Sequence, residues 1–281
     1  MIVLLSSSAT FFSPGTRRRR LVGRININSV TKRFQTGSSA VTALDNVSLF
    51  VQEQEIVTLV GASGCGKSTL LNLIAGFEMP TVGNVLVDGQ PVKGPGPDRG
   101  VVFQQTALFP WLSVEDNIGF GLSLRANQKV GDHRQIVERM LQRTGLSAFR
   151  ERRPAELSGG MRQRAAIASV LAINPSTLLM DEPFGALDSL TRSIMQDFLL
   201  EIWDEQRKTV VLVTHDIDEA VYLADRTVIM TAHPGQIHEV IDVGLPRPRR
   251  YEMRSEAPFI ALRDHVTRIV RSEAIKGTVG G

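Results

Sequence analysis

The chain is organised around Gly61-Ala62-Ser63-Gly64-Cys65-Gly66-Lys67-Ser68, set between the apolar run Ile56 to Val60 and a helix-forming stretch from Thr69 to Ala75. A strand that turns through glycines into a helix start leaves several backbone N–H groups without partners, all directed into one concavity. Polyphosphate oxygens accept from them, and the helix dipole favours the negative charge. The glycines let backbone approach the ligand with no side chain between. Lys67 supplies a mobile positive charge for β- and γ-phosphates, and the Ser68 hydroxyl is placed to ligate a bridging Mg²⁺. The competing reading is a Gly-rich turn with a chance Lys-Ser, and the strand-to-helix context weighs against it.

At 281 residues the chain is long enough to bury a substantial core, as one large domain or two smaller ones. No apolar run approaches the roughly 18 residues needed to span a bilayer, so any service to a membrane is rendered from its side. The net charge of +3 hides an asymmetry: the first 44 residues hold seven basic residues and no acid, which leaves −4 for the rest. The basicity therefore belongs to the N-terminus and argues weakly for nucleic-acid binding by the body. Residues 1–24 are expected to be a disordered basic extension, with an upstream start codon or an organelle transit segment as alternatives. Cys65 is the only cysteine, which rules out an internal disulfide and suits a reducing compartment.

Upstream of the loop, Ile25 to Val30 alternates apolar and polar residues, as does Val47 to Val51, which suggests an antiparallel layer beside the loop strand. Phe34 follows the first of these; stacking on a nucleotide base and packing in a local core are both open to it. Downstream, Gly100 to Gln104 reads as a buried strand delivering an amide that can reach Mg²⁺ or an attacking water. An exposed strand end is the alternative. From Ser113 to about Ala172 the sequence turns helical and charged, an insertion that splits the nucleotide-binding fold; Ile136, Val137, Met140 and Leu141 recur there at helical spacing and read as core. Within it, Ser158-Gly159-Gly160 opens a helix and forms a second place where backbone N–H groups can hold anionic oxygen, though such a turn alone is usually a cap.

Two further apolar strands end in chemistry. Thr177 to Met180 delivers Asp181, suited to Mg²⁺, and Glu182, suited to polarising a water for in-line attack on a γ-phosphate. Thr209 to Thr214 delivers His215, able to donate to that phosphate and to align the water with Glu182. Val228 to Met230 and Gln236 to Val243 read as a closing hairpin around His233-Pro234-Gly235, which looks like a turn and nothing more. Residues 246–281 form a tail with a helix from Pro258 to about Ile275 and no visible chemistry.

Taken together, these motifs resemble the nucleotide-binding subunit of an ATP-binding cassette (ABC) transporter, over roughly Ile25 to Ile275. The resemblance implies an α/β P-loop NTPase with a RecA-like core, an antiparallel β-subdomain and an inserted α-helical subdomain at about 113–172, within a domain spanning 25–245. Gly61, Ala62, Ser63, Gly64, Cys65, Gly66, Lys67, Ser68 and Thr69 match the family's Walker A, Gln104 its Q-loop, Leu157 to Gln163 its signature, Met180-Asp181-Glu182 its Walker B, Gly185 to Asp188 its D-loop, and His215 its switch histidine. Phe34 matches the aromatic that stacks on adenine. The Gly94 to Gln104 run, Leu108-Phe109-Pro110-Trp111 and Pro258-Phe259 look most like the nitrate, sulfonate and taurine importers. Met161 and Arg162 stand where many relatives have Gln, and Ser169 where Arg is more usual.

The family pattern further implies Mg-ATP as cofactor and a head-to-tail dimer in which Ser158, Gly159, Gly160 and Asp188 of one copy complete the nucleotide site of the other. Catalysis would rest on Glu182, His215 and Gln104, with Ser68, Gln104 and Asp181 at the metal. Permease subunits would dock near Leu108 to Trp111, on the cytoplasmic face of the plasma membrane, with a solute-binding protein engaged indirectly. The competing classes are a cassette ATPase acting on nucleic acid or the ribosome, and a generic P-loop kinase. The first usually carries paired cassettes, coiled coils or zinc motifs absent here, and the second gives no reason for the signature. Cys65, in a loop at a helix start, a setting that tends to lower a thiol's pKa, is expected to alkylate quickly without ATP and slowly with it.

Overall fold

A computed structural model describes residues 23–37, 39–124, 131–232 and 234–279. The expected N-terminal extension and His233 lie, wholly or nearly so, outside the described residues. The central layer is a six-stranded sheet in the order β10-β9-β3-β8-β7-β6. Its strands are β3 (Ile56–Gly61), β6 (Arg99–Val102), β7 (Thr177–Asp181), β8 (Thr209–Val213), β9 (Arg226–Met230) and β10 (Ile237–Asp242). All run parallel except β10, which pairs antiparallel with β9 as the closing hairpin.

The apolar runs work in both directions because both faces of this sheet are covered. Ile56 and Val60 of β3, Leu178 and Met180 of β7, and Val210 and Leu212 of β8 face one core. That core is completed by α4 (Gly159–Ala172), α5 (Ser189–Gln206) and α6 (Ile217–Leu223). The alternate residues Val57, Leu59, Leu179, Val211 and Val213 face a second core, filled by α1 (Lys67–Ala75) and an antiparallel sheet. This second sheet has the order β2-β1-β4-β5 and contains β1 (Ile25–Thr36), β2 (Ser39–Val51), β4 (Val82–Val87) and β5 (Gln90–Pro91). The alternation of Ile25, Ile27, Leu49 and Val51 into the core explains the period-two pattern of the sequence.

Three elements differ from expectation. β1 runs on to Thr36, so Phe34 lies inside a strand, opposite Val41, rather than after one. β6 stops at Val102, and Phe103, expected to be buried, is 39% exposed and stacks on Phe77 at 5.5 Å. The cause is position: β6 is the edge strand, so nothing covers its outer end. The tail helix α7 (Ala257–Val279) is longer than expected, and its Phe259 and Val266 are buried in the first core.

The helices between β6 and β7 are α2 (Val114–Ser123) and α3 (His133–Arg143), followed by α4. Ser113 caps α2 by accepting from the Asp116 N–H at 3.0 Å, with Glu115 and Asp116 in the first turn. Arg150 ties the insertion together by donating to Glu115 and Glu138 at 2.9 and 3.0 Å.

Candidate functional site

Parallel strands carry their C-terminal ends to one edge of the sheet, and loops leaving that edge converge. The register fixes which residues meet. Leu59 and Asp181 both pair with Val213, and Val102 pairs with Met180. The residues that follow β3, β7, β8 and β6 are the phosphate loop, Glu182, His215 and Gln104, all delivered to the same edge.

A cavity of about 460 Å³ opens there, lined by Ala43, Gly61, Ser63, Gly64, Cys65, Gly66, Lys67, Ser68, Thr69, Gln104, Glu182 and His215. Gly61 and Gly66 hold φ of 152° and 89°, in the region that favours glycine. A Cβ on Gly66 would meet Leu44 Cδ2 at 2.6 Å and the Ala43 carbonyl at 2.9 Å, so the loop can lie on β2 only without one. Lys67 Nζ donates to the Gly61 and Ala62 carbonyls at 2.8 and 2.9 Å. The ammonium is thereby held under the loop, where it reaches a phosphate by exchanging those two bonds. Cys65 contributes to the lining, but the residue is 0% exposed and its Sγ lies 3.5 Å from Lys67 Nζ. The expectation of a freely reactive thiol is therefore corrected: the loop turns this side chain inward, against Gly61 and β9.

On the opposite wall, Glu182 accepts from Gln104 Nε2 at 2.9 Å and lies 3.3 Å from His215 Nδ1. Its φ of 46° is left-handed, costing about 1 kcal/mol or more for a residue with a Cβ, and its N–H donates to the Val213 carbonyl at 2.9 Å. The strained backbone turns this carboxylate from the sheet edge toward the cavity mouth. Burial pushes the Asp181 carboxyl above its ordinary range, opposed by a hydrogen bond from Ser68 and the charge of Lys67. The Ser68 hydroxyl, Asp181 carboxylate and Gln104 amide are hard oxygen donors, a set that fits a small divalent cation sharing its remaining positions with water and phosphate. Among the described residues no cluster of three His, Cys, Asp or Glu would hold a metal unaided.

The other expected site residues lie elsewhere. Ser158 accepts from the Met161 N–H at 3.2 Å and caps α4, and neither it, Gly159 nor Gly160 lines the cavity. Asp188 caps α5 through the Thr191 N–H at 3.0 Å, and hydrogen bonds from the Thr191 hydroxyl and then this N–H hold its carboxyl below the ordinary range. Phe34 is half-buried under Lys32 Nζ, 4.7 Å from the ring centre, and is likewise absent from the lining. Ala43, which does line it, carried no signal in the sequence, because only the packing of β2 on the loop brings it there.

Behind His215, Glu219 of α6 is 3% exposed, and burial pushes its carboxyl from 4.5 up to about 7 despite hydrogen bonds from Thr214 and Gln196. Asp216 caps α6 by accepting from the Glu219 N–H at 3.1 Å and also accepts from Arg192 at 3.1 Å.

Comparison with known proteins agrees with this geometry. Residues 44–185 match the family model described as ABC transporter. The nitrate import ATP-binding protein NrtD of Synechococcus elongatus is 47% identical, over 90% of this chain and 93% of its own. The bicarbonate transport ATP-binding protein CmpD of the same organism is 45% identical, over 85% and 87%. Among solved structures, the dimeric post-hydrolysis state of the ATP-binding cassette MJ0796, bound to ADP and Pi, superposes with a TM-score of 0.71 at 34% identity. It covers 79% of this chain and 100% of that one.

Proposed function

Since the chain belongs to the ABC transporter family, we propose that it is the ATP-hydrolysing subunit of an importer of a small anion, working as a head-to-tail pair beneath separate permease subunits. The observation that carries this reading is a division of parts. Lys67, Gln104, Glu182 and His215 share one cavity, whereas the α4 start at Ser158-Gly159-Gly160 lies outside it. A helix start outside that cavity, with first-turn N–H groups directed out of the helix, suits the γ-phosphate bound to a second copy. The dimeric state of MJ0796, 34% identical to this chain, supports a pair as the working unit.

In the proposed cycle Lys67 exchanges the Gly61 and Ala62 carbonyls for β- and γ-phosphate oxygens. Ser68, Asp181 and Gln104 would hold Mg²⁺, which neutralises the phosphate charge. Glu182 accepts the proton of the attacking water, and His215, within reach of Glu182, donates to the γ-phosphate and keeps the water in line. Phe34 takes the base. Closing the pair on ATP and releasing it after hydrolysis turns chemistry into a gating motion.

The permease would dock where Phe109 packs on Trp111 and Phe120, with ring centres 5.5 and 4.4 Å apart. Trp111 is 66% exposed, an aromatic anchor of the kind enriched at interfaces, beside a groove lined by Leu112, Glu115, Phe120 and His133. Among the described residues no helix is long and apolar enough to cross a membrane; in this reading the subunit is held at the cytoplasmic face by its docking to the permease. The names of the relatives point to nitrate or bicarbonate as cargo, and a solute-binding protein would deliver it. The test is uptake of labelled nitrate, bicarbonate and taurine by cells with and without the gene. Loss of one uptake is expected, restored by the wild-type chain but not by Glu182→Gln; unchanged uptake of all three would remove the small-anion reading.

A further inference from the structure

The two residues flanking His215 are held from behind by a chain of polar groups that begins in the C-terminal segment. Gln196, in the middle of α5, is 1% exposed, and its Nε2 donates to Glu219 Oε2 at 2.8 Å. Arg254, from a short 3₁₀ turn at Tyr251–Ser255, donates to Gln196 Oε1 at 2.5 Å. At the other end the Thr214 hydroxyl is hydrogen-bonded to the Glu219 carboxylate and accepts from the Asp216 N–H at 3.0 Å. Thr214 and Asp216 are the neighbours of His215 on either side. A cavity of about 20 Å³, room for one water, has Glu182 and His215 as well as Glu219 and Thr214 in its wall.

The chain has a direction. Arginine can only donate, so its contact obliges the Gln196 amide to present oxygen to Arg254 and N–H to Glu219. Without Arg254 the amide loses one of the two contacts that orient it, and only Glu219 is left to hold its N–H. Arg254 is in turn fixed by aromatic faces, its guanidinium carbon lying 4.0 Å from the centre of Tyr222 and 5.4 Å from that of Tyr251. Tyr222 is anchored by donating to Asp197 at 2.7 Å. The same region reaches the segment before α5 through Arg192, which holds Asp216 and the Leu187 carbonyl, each at 3.1 Å.

We propose that Arg254 is a positioning residue for ATP hydrolysis: acting through Gln196, Glu219 and Thr214, it sets the backbone that carries His215, so that turnover depends on the seating of the C-terminal segment. The proposal rests on the role assigned to His215, and the experiment separates the two. Steady-state ATPase kinetics, ATP affinity and melting temperature are measured on the full chain for R254A, R254K, Q196L and H215A. R254A and Q196L are expected to lower kcat roughly tenfold, less than the hundredfold that a full 1 Å misplacement costs, with KM for ATP and ATP affinity within about twofold of wild type. R254K should recover part of the loss, since an ammonium can donate to Gln196 but lacks the planar face that stacks between the tyrosines. Should R254A fail to fold and so lose ATP binding, R254K and Q196L decide in its place.

Unchanged kcat in R254A and Q196L, with H215A slow, would overturn the relay and leave the role of His215 standing. A parallel loss of kcat, ATP affinity and melting temperature in all the relay variants would reduce Arg254 to a structural part and overturn the proposal as well. Wild-type turnover in H215A would instead overturn the reading on which it rests.

Discussion

Glu182 is the residue on which the proposed chemistry turns, since it has both a carboxylate at the cavity mouth and the backbone strain that puts it there. Glu182→Gln keeps the shape and removes the base. Turnover should fall by at least about 100-fold with ATP affinity preserved and a nucleotide-bound dimer accumulating, as read by hydrolysis and gel filtration. Undiminished turnover would take Glu182 out of the catalytic role. Glu219 gives a residue-scale prediction of a different kind. Its carboxyl holds a proton up to about pH 7 when folded and only to about 4.5 otherwise. The stabilisation that results is fully present below pH 4.5 and is lost as pH rises through 7. Against Glu219→Gln, the melting temperature of the wild type should therefore fall on the order of 5 °C further between pH 5 and 8. Parallel curves would refute the assignment. The reacting side chains could be read from the sequence because each stands at the end of an apolar strand. Cys65 could not, since whether a loop side chain points in or out is decided by how the folded loop packs, here with Cys65 Sγ close against Gly61. Its thiol is now expected to resist alkylation with or without ATP, and rapid modification of the empty protein would contradict the inward pose.

At the scale of elements, the hairpin turn before β10 has a role that its sequence hid. Gly235 accepts from the Asp45 N–H at 3.0 Å and donates to the Ala43 carbonyl at 3.1 Å, so it stitches the hairpin to β2 beneath the phosphate loop. A Cβ on Gly235 would meet the Cys65 carbonyl at 2.3 Å and the Ala43 carbonyl at 2.8 Å, both backbone and neither free to swing away. Gly235→Ala should push the loop and weaken ATP binding by roughly tenfold, about 1.4 kcal/mol, in a titration. Gly94→Ala, where nothing lies within 4 Å, serves as the control and should bind normally. Equal affinity in the two would show that the brace is unimportant. The alternating strands and the capped helices were legible because their signals are local. The brace was not, because it joins residues almost 200 positions apart, and neither was the exposure of Phe103, which depends on β6 being last in its sheet. The burial of Phe259 and Val266 likewise needed the core they enter to be assembled first.

For the whole molecule, the proposed division of the site between two copies would make activity a property of association. ATP turnover per subunit should rise steeply with protein concentration in the range where the pair forms and then level off. A dilute monomer splitting ATP at the full rate would refute the shared site, as would normal turnover after replacement of Ser158 and Gly160. That Lys67, Gln104, Glu182 and His215 share a cavity from which Ser158-Gly159-Gly160 is absent was legible only through the family resemblance; in the molecule it follows from strand order and register, which no single motif carries. With the Lys67 ammonium bonded to the carbonyls of Gly61 and Ala62, the chain's own hydrogen bonds mould the phosphate nest. Capture then needs no slow ordering step, so weakened variants of this loop should load ATP about as fast as the parent and differ in how soon they let it go, a contrast that stopped-flow traces would display directly.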